Sequence, residues 1–240
     1  MKEAIILAGG FGTRLRSVIH DIPKPVSLIG GKPFLEFLMK QLAMSGFDRV
    51  VLSVGYRHEI ISNHFGSLFE NMQLDYCVED VPLGTGGAIA KALQQTVADD
   101  ILVMNGDSIL LASLEFFCDF HYHQHTPISI ALKAETNFNR YGTVTMEGNR
   151  IVSFEEKRQV TDGFFNAGLY LLHSSVKDQL VKFPTPFSIE KEIFEKHVFS
   201  LSGCVFNDFF IDIGVPEDYA RAQTKLLPAY EKYIKRITKP

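Results

Sequence analysis

Apolar residues in the first half of the chain fall into two alternating kinds of run. Short, mainly apolar runs at 4–7, 50–54, 74–79 and 101–104 read as strands covered on both faces, because a half-exposed strand would alternate strictly between apolar and polar positions. Between them, at 34–45, 59–65, 86–95 and 114–125, apolar residues recur three and four apart, the spacing of a helix with one buried face. Gly46 stands where the first of these helices should end. Residues 128–132 form a further apolar run. Strands spaced by helices predict a mainly parallel sheet with helices on both sides.

The rhythm then changes. Runs at 142–146 and 150–155 flank Glu147-Gly148-Asn149, which reads as a hairpin with a glycine-containing turn. Residues 164–172 predict another strand, so antiparallel elements join the sheet here. Residues 188–195 predict a helix and 209–213 a late strand. Residues 216–226 predict a final helix with Pro216 in its first turn. No internal repeat, low-complexity tract or Gly/Ser/Pro-rich linker divides the chain. The expectation is one domain over residues 1–240, with a first part at about 1–125 and a second part at about 126–240.

Composition narrows the class. The chain has 240 residues, 46% of them hydrophobic and 22% charged, which is ordinary for a globular protein. The net charge of −4 argues against nucleic acid as a main partner. No segment approaches the ~20 apolar residues of a membrane span. Met1-Lys2-Glu3 leads straight into the first strand, so no cleavable signal is expected. Cys77, Cys118 and Cys204 are scattered and odd in number. They read as buried, reduced thiols and point to the cytoplasm. His121 and His125 share a helical face with Cys118 one turn earlier, but nothing nearby completes a zinc set. A core role is the simpler reading for this segment.

The chemistry concentrates after the first strand. Leu7-Ala8-Gly9-Gly10-Phe11-Gly12-Thr13-Arg14-Leu15 is followed by Pro23-Lys24-Pro25. Glycines allow backbone N–H groups to turn toward phosphate oxygens. Arg14 and Lys24 add full positive charges. Leu7, Gly9, Gly10, Gly12 and Thr13 are therefore candidate nucleotide-binding positions. The phosphate loop G-x-x-x-x-G-K-[ST] is absent. The dinucleotide pattern G-x-G-x-x-G fails at Leu15, and Arg14 is foreign to it. Asn105-Gly106-Asp107 ends a strand, where open α/β sheets bind ligands. Triphosphate chemistry needs Mg²⁺, which usually takes one or two carboxylates plus substrate oxygens and water. Asp107 suits that role, or else caps a turn. Asp212 lies inside the apolar run 209–213 and needs a partner there, either a cation or a lysine or backbone N–H.

The order L-A-G-G-x-G-T-R-L, then P-K-P, then Gly31-Lys32-Pro33, resembles the sugar nucleotidyltransferases. That resemblance implies a Rossmann-like three-layer α/β sandwich with a mixed, mainly parallel central sheet, of nucleotide-diphospho-sugar transferase type. It implies Asp107 and Asp212 as the metal carboxylates, the latter in Asp212-Ile213-Gly214-Val215-Pro216-Glu217-Asp218-Tyr219, where Val215 replaces the family's threonine. Glu217 and Asp218 suit the helix dipole instead. Glu155-Glu156-Lys157-Arg158 resembles the family's E-K-P. The lysine would meet the sugar phosphate and a glutamate a sugar hydroxyl, with Glu155 and Glu156 both open because Arg158 replaces the proline. Asn166 of Asn166-Ala167-Gly168 and Gly142 of Tyr141-Gly142 would line the sugar. Many relatives carry a C-terminal β-helix of hexapeptide repeats, for which this sequence has no pattern.

Residues 79–87, Glu-Asp-Val-Pro-Leu-Gly-Thr-Gly-Gly, resemble the segment that reads the base, with Gly84 and Thr85 beside it. Thymidylyl- and uridylyltransferases carry glutamine where Glu79 stands. A carboxylate only accepts hydrogen bonds, and guanine offers the adjacent donors N1–H and N2–H₂ to meet it, so GTP is expected. The alternative is that Asp80 or backbone reads the base. In the implied reaction a sugar 1-phosphate attacks the α-phosphorus of GTP, with Arg14, Lys24 and Lys157 as the catalytic cations. Residues 11–18 and 21–25 resemble the bacterial D-glycero-D-manno-heptose 1-phosphate guanylyltransferases. Mannose 1-phosphate, a UTP- or dTTP-using relative and a nucleotide-sugar sensor are the rival readings. The partners expected are small molecules, and a homo-oligomer is left open.

Overall fold

The computed structural model describes residues 1–10, 15, 22–138, 142–155 and 160–238. The first half contains β1 (Glu3–Leu7), a 3₁₀ turn at Lys24–Val26, β2 (Leu28–Ile29), β3 (Lys32–Pro33), α1 (Phe34–Met44), β4 (Arg49–Val54), α2 (His58–Phe65), β5 (Leu68–Phe69), β6 (Met72–Val78), α3 (Gly84–Leu93), β7 (Asp100–Asn105), β8 (Ser108–Leu110) and α4 (Leu114–Gln124). The second contains β9 (Ile128–Phe138), β10 (Thr143–Glu147), β11 (Arg150–Glu155), β12 (Val160–His173), α5 (Lys177–Leu180), a π-helical turn at Glu190–Phe194, β13 (Leu201–Phe206), β14 (Phe210–Asp212) and α6 (Pro216–Ile237).

Ten strands form the main sheet in the order β10-β11-β13-β9-β12-β7-β1-β4-β6-β5. Strands β7, β1, β4 and β6 run parallel. β12 is antiparallel to both β7 and β9, while β13 runs parallel to β9. The sheet is therefore mixed, with its parallel block in the first half, as expected. Alternation along β1 sends Ile5 to one face and Ala4 and Ile6 to the other. Ile5, Val51 and Val103 pack with Ile89, Ile189 and Phe194. Ala4, Ile6, Val50 and Leu52 pack with Phe34, Leu38 and Leu226. Both faces are covered, which is why these strands read as mainly apolar runs.

Several expectations need correction. The predicted helix at 188–195 is a five-residue π-helical turn. The final helix, which residues 216–226 begin as expected, continues to Ile237 through Pro228. A proline inside a helix costs about 3 kcal/mol. The buried face formed by Ala222, Leu226, Tyr230 and Tyr233 offsets it. Strands β9 and β12 run well beyond 128–132 and 164–172, because they pair with each other as far as Phe138 and Val160. The strand at 209–213 is β14, which pairs with β8 outside the main sheet. β13 was not anticipated. Gly203 interrupts its pattern because a Cβ there would stand 2.7 Å from Leu132 Cδ1.

Candidate active site

β1 has β4 on one side and β7 on the other. The chain leaves β1 toward β4 and returns to β7 only after β6, so the loops following β1 and β7 diverge. Such a switch point leaves a crevice at the carboxyl ends of the strands. A cavity of about 340 Å³ opens there. Leu7, Ala8, Gly9 and Gly10 line it from β1, and Asn105, Gly106 and Asp107 from β7. Lys24, Glu79, Gly84 and Thr85 complete the wall together with Pro25, Pro82 and Ala88. Eight of the residues singled out in the sequence, Leu7, Gly9, Gly10, Lys24, Glu79, Gly84, Thr85 and Asp107, thus meet in one place. Gly12, Thr13 and Arg14 lie outside the described residues, as do Glu156, Lys157 and the side chain of Glu155.

Gly106 is fixed by packing. Its N–H donates to the Leu7 carbonyl at 2.9 Å. A Cβ on it would stand 2.5 Å from that same oxygen. Only glycine lets the two strand ends approach so closely, and Asp107 then turns toward the cavity. Lys24 Nζ donates to Asp107 Oδ2 at 2.9 Å. Strand β14 pairs Asp212 with Ser108, and Ile213 N–H donates to the Asp107 carbonyl at 2.8 Å. The two aspartates, 105 residues apart in sequence, are therefore neighbours. Burial pushes the Asp212 carboxyl above its ordinary range, and the charge of Asp107 pushes it further. The Gly214 N–H and Lys24 pull the other way. Two hard oxygen donors with mutual repulsion suit a divalent cation such as Mg²⁺, which needs no larger protein cage. No group of three or more metal-ligating side chains occurs among the described residues.

Glu79 stands at the far wall. Ser53 Oγ donates to its Oε1 at 2.9 Å, and Leu83 N–H donates to its Oε2 at 3.2 Å. A carboxylate has about four acceptor sites, so each oxygen retains capacity for a ligand donor. Gly9 is required here as well, since a Cβ on it would lie 2.7 Å from Glu79 Oε1. Ser53 was missed in the sequence, although a lone hydroxyl inside the apolar run 50–54 was the available signal. The Leu83 N–H belongs to the backbone and leaves no trace in residue type.

The glycines of 84–87 are demanded by packing. Gly84 has φ +73°, and a Cβ on it would stand 2.4 Å from the Phe187 carbonyl oxygen. A Cβ on Gly86 would stand 2.1 Å from the Phe187 ring, and one on Gly87 2.9 Å from Leu83 Cβ and 3.0 Å from Thr185 Cγ2. These residues admit the 185–187 segment. The Thr85 hydroxyl donates to Glu190 Oε2 at 2.7 Å and accepts from Ile189 N–H at 3.0 Å. Thr85 thus lines the cavity while its hydroxyl is engaged behind it.

On the β12 side, Asn166 Nδ2 donates to the Tyr170 hydroxyl at 3.0 Å, and Gly168 N–H donates to Asn166 Oδ1 at 2.8 Å. One amide hydrogen and one lone pair remain on Asn166 for a ligand. Gly142 precedes β10, and Glu155 ends β11 opposite Thr143. Gly31-Lys32-Pro33 lies in the β2–β3 hairpin, which docks on α6 through Gln223 and Tyr219 hydrogen bonds to the Leu28 carbonyl. His121 is buried against Ser129, with Nδ1···Oγ at 2.7 Å, and His125 closes α4 in the left-handed region at φ 53°. His121 and the buried Phe117 agree with the core reading of that segment, whereas His125 is exposed and Phe116, also expected in the core, faces solvent. Cys77 and Cys204 are buried and Cys118 is half-buried, all as free thiols.

The profile of the nucleotidyl transferases matches residues 3–228. The chain belongs to the nucleotidyl transferase family. A D-glycero-alpha-D-manno-heptose 1-phosphate guanylyltransferase of Aneurinibacillus thermoaerophilus is 38% identical over 93% of this chain and 98% of its own length. One from Campylobacter jejuni is 41% identical over 90% and 96%. The solved structure of HddC from Yersinia pseudotuberculosis complexed with GMP-PN matches with a TM-score of 0.81 at 34% identity, covering 94% of this chain and 100% of that one. This nucleotidyl transferase thus matches such relatives over nearly their whole length. Its cavity sits at the switch point of the parallel block, between a glycine turn and a pair of acids.

Proposed function

We propose that this protein transfers a guanylyl group from GTP to D-glycero-α-D-manno-heptose 1-phosphate, giving GDP-heptose and pyrophosphate for surface glycan synthesis. The observation that carries the base assignment is Glu79, a carboxylate braced by Ser53 and the Leu83 N–H inside the cavity. Guanine N1–H and N2–H₂ complement it, and uracil or thymine would need a donor in return. The heptose assignment rests on likeness to relatives with that name.

The nucleophile is a sugar-phosphate oxygen already ionised near neutral pH, so the chain needs no general base. It attacks the α-phosphorus in line, and the bond to the β-phosphate bridging oxygen breaks. Catalysis is then positioning and charge neutralisation. Lys24 neutralises the α-phosphate region. Arg14 is assigned to the β- and γ-phosphates and the departing pyrophosphate, and Lys157 to the sugar phosphate. Gly142, Asn166 and one of Glu155 and Glu156 hold sugar hydroxyls. Asp107 and Asp212 are the residues that would hold Mg²⁺, which when bound offsets phosphate charge. Residues of about 1–125 serve the nucleotide and those of about 126–240 the sugar. The site belongs in the cytoplasm, where GTP is available.

The deciding experiment incubates the protein with each of GTP, UTP, dTTP and ATP against heptose, mannose and glucose 1-phosphates and measures pyrophosphate. Release is expected with GTP and heptose 1-phosphate. Release only with UTP or dTTP overturns the role of Glu79, and a preference for mannose 1-phosphate overturns the sugar assignment.

A further inference from the structure

Behind the cavity runs a chain of polar side chains of which the proposed reaction uses only Asn166. Glu190 sits at the start of the π-helical turn and reaches three hydroxyls. Its Oε2 accepts from Thr85 Oγ1 at 2.7 Å and from Ser188 Oγ at 2.5 Å. Its Oε1 accepts from the Tyr170 hydroxyl at 3.4 Å. Tyr170 is fully buried, and its hydroxyl accepts in turn from Asn166 Nδ2 at 3.0 Å. The Asn105 side chain also interacts with that hydroxyl. Asn105 packs on Gly168, where a Cβ would lie 2.5 Å from its Nδ2.

The three ends of this chain lie at three parts of the site. Thr85 stands in the turn that faces the nucleotide. Asn166 stands on the strand assigned to the sugar. Asn105 is followed directly by Gly106 and the cation-binding candidate Asp107. Asn105 and Asn166 stand on β7 and β12, which already pair in the main sheet, but Thr85 stands on α3, outside that ladder. A single carboxylate with acceptors on both oxygens fixes the distance and angle between Thr85 and that ladder, and charge-assisted hydrogen bonds are the stronger kind. Such angular control is what an in-line transfer between two bound substrates needs.

We infer that Glu190 is a positioning residue that locks the nucleotide-facing turn at Thr85 to the sugar-facing bulge at Asn166 through the Tyr170 hydroxyl, so that each substrate half-site is set by the other. The inference rests on the guanylyltransferase reading for the names of the two half-sites. It predicts crossed effects. Tyr170→Phe removes a hydroxyl on the sugar side, yet it should weaken binding of a non-hydrolysable GTP analogue. Thr85→Val alters the nucleotide side, yet it should raise KM for the sugar 1-phosphate.

The test measures calorimetric Kd for the GTP analogue, kcat and KM for heptose 1-phosphate, and the melting temperature. The proteins are wild type, Thr85→Val, Tyr170→Phe, the double variant and Glu190→Ala. Each single variant is expected to show a crossed change of about fivefold to tenfold, the usual span of coupling between sites. The double variant and Glu190→Ala should be no worse than about the larger single effect, because one connection is being cut twice. Effects confined to each residue's own substrate, or single losses that multiply in the double variant, overturn the inference. Loss of melting temperature with unchanged Kd and KM does so too, since that marks a merely structural role. The binding arm requires no turnover. Wild-type protein that binds the analogue but releases no pyrophosphate therefore refutes the transferase reading while the crossed Kd shift still judges Glu190.

Discussion

Lys24 directs one charge at two acids. Its ammonium bonds Asp107 directly and lowers the cost of ionising Asp212 beside it. Asp107→Asn and Lys24→Ala should each reduce pyrophosphate release by about 100-fold or more, the scale seen when an electrostatic partner of the transition state is removed. Melting curves should barely move, because both side chains sit at the cavity wall rather than in the core. Near-normal turnover in either variant would remove these residues from the mechanism. Glu79 makes a separate prediction. Glu79→Gln replaces one acceptor with a donor, so kcat/KM for GTP should fall by about 100-fold while that for UTP or dTTP rises, since a buried mismatch of hydrogen bonds discriminates strongly. An unchanged nucleotide preference would mean that Asp80 or backbone reads the base.

At the level of elements, the turn before α3 stores the tightest contacts. Gly84→Ala must place a side chain at φ +73° and against the Phe187 carbonyl. Left-handed backbone costs about 1–2 kcal/mol and overpacking about 1–3 kcal/mol more. A loss of unfolding free energy below about 1 kcal/mol in urea titrations would contradict that packing. The same turn explains what could and could not be read beforehand. Strands β1, β4 and β7 were legible because each is a run of apolar residues with both faces covered, and β11 was placed at its observed ends. Glycine, lysine and aspartate at those strand ends were legible because phosphate and metal chemistry demands particular residue types. The cause of Gly84, Gly86 and Gly87 was not legible, since it lies in Phe187, a hundred residues further along. Nor was the brevity of the turn at Glu190–Phe194, where apolar spacing alone suits a longer helix. Ser53 was hidden in plain view, its hydroxyl outweighed by the apolar neighbours that made 50–54 a strand.

Across the whole molecule, the opposite ends of the sheet do different work. At the amino end of β1, Glu3 accepts from Arg49 Nη1 and from the Val97 and Ala98 N–H groups, each at 2.6 Å. Arg49 also bonds Asp75. Removing one partner of a buried ion pair costs about 3–5 kcal/mol. Glu3→Gln should therefore lower unfolding free energy by roughly that amount while turnover, assayed well below the unfolding transition, stays close to wild type. A fall in kcat would show that the two ends are not independent. On the other half of the sheet, burial lowers the His121 pKa, and the nearby Asp100 only partly restores it. Below about pH 6.5 the unfolded chain gains a proton at this histidine that the native state resists, so stability is lost as pH falls. His121→Gln should flatten that acid slope in urea titrations between about pH 7 and 5, and an unaltered slope would assign it elsewhere.

The docking of α6 on the β2–β3 hairpin has a temporal side. Tyr219 and Gln223 hold the Leu28 carbonyl, Leu227 fills the space over Gly30, and the Tyr230 hydroxyl bonds the Phe37 carbonyl. Segments made early by the ribosome are thus clasped by one made 191 residues later. A growing polypeptide holds Lys24 without the clasp behind it, and synthesis must pass α6 before that lysine has its lasting support.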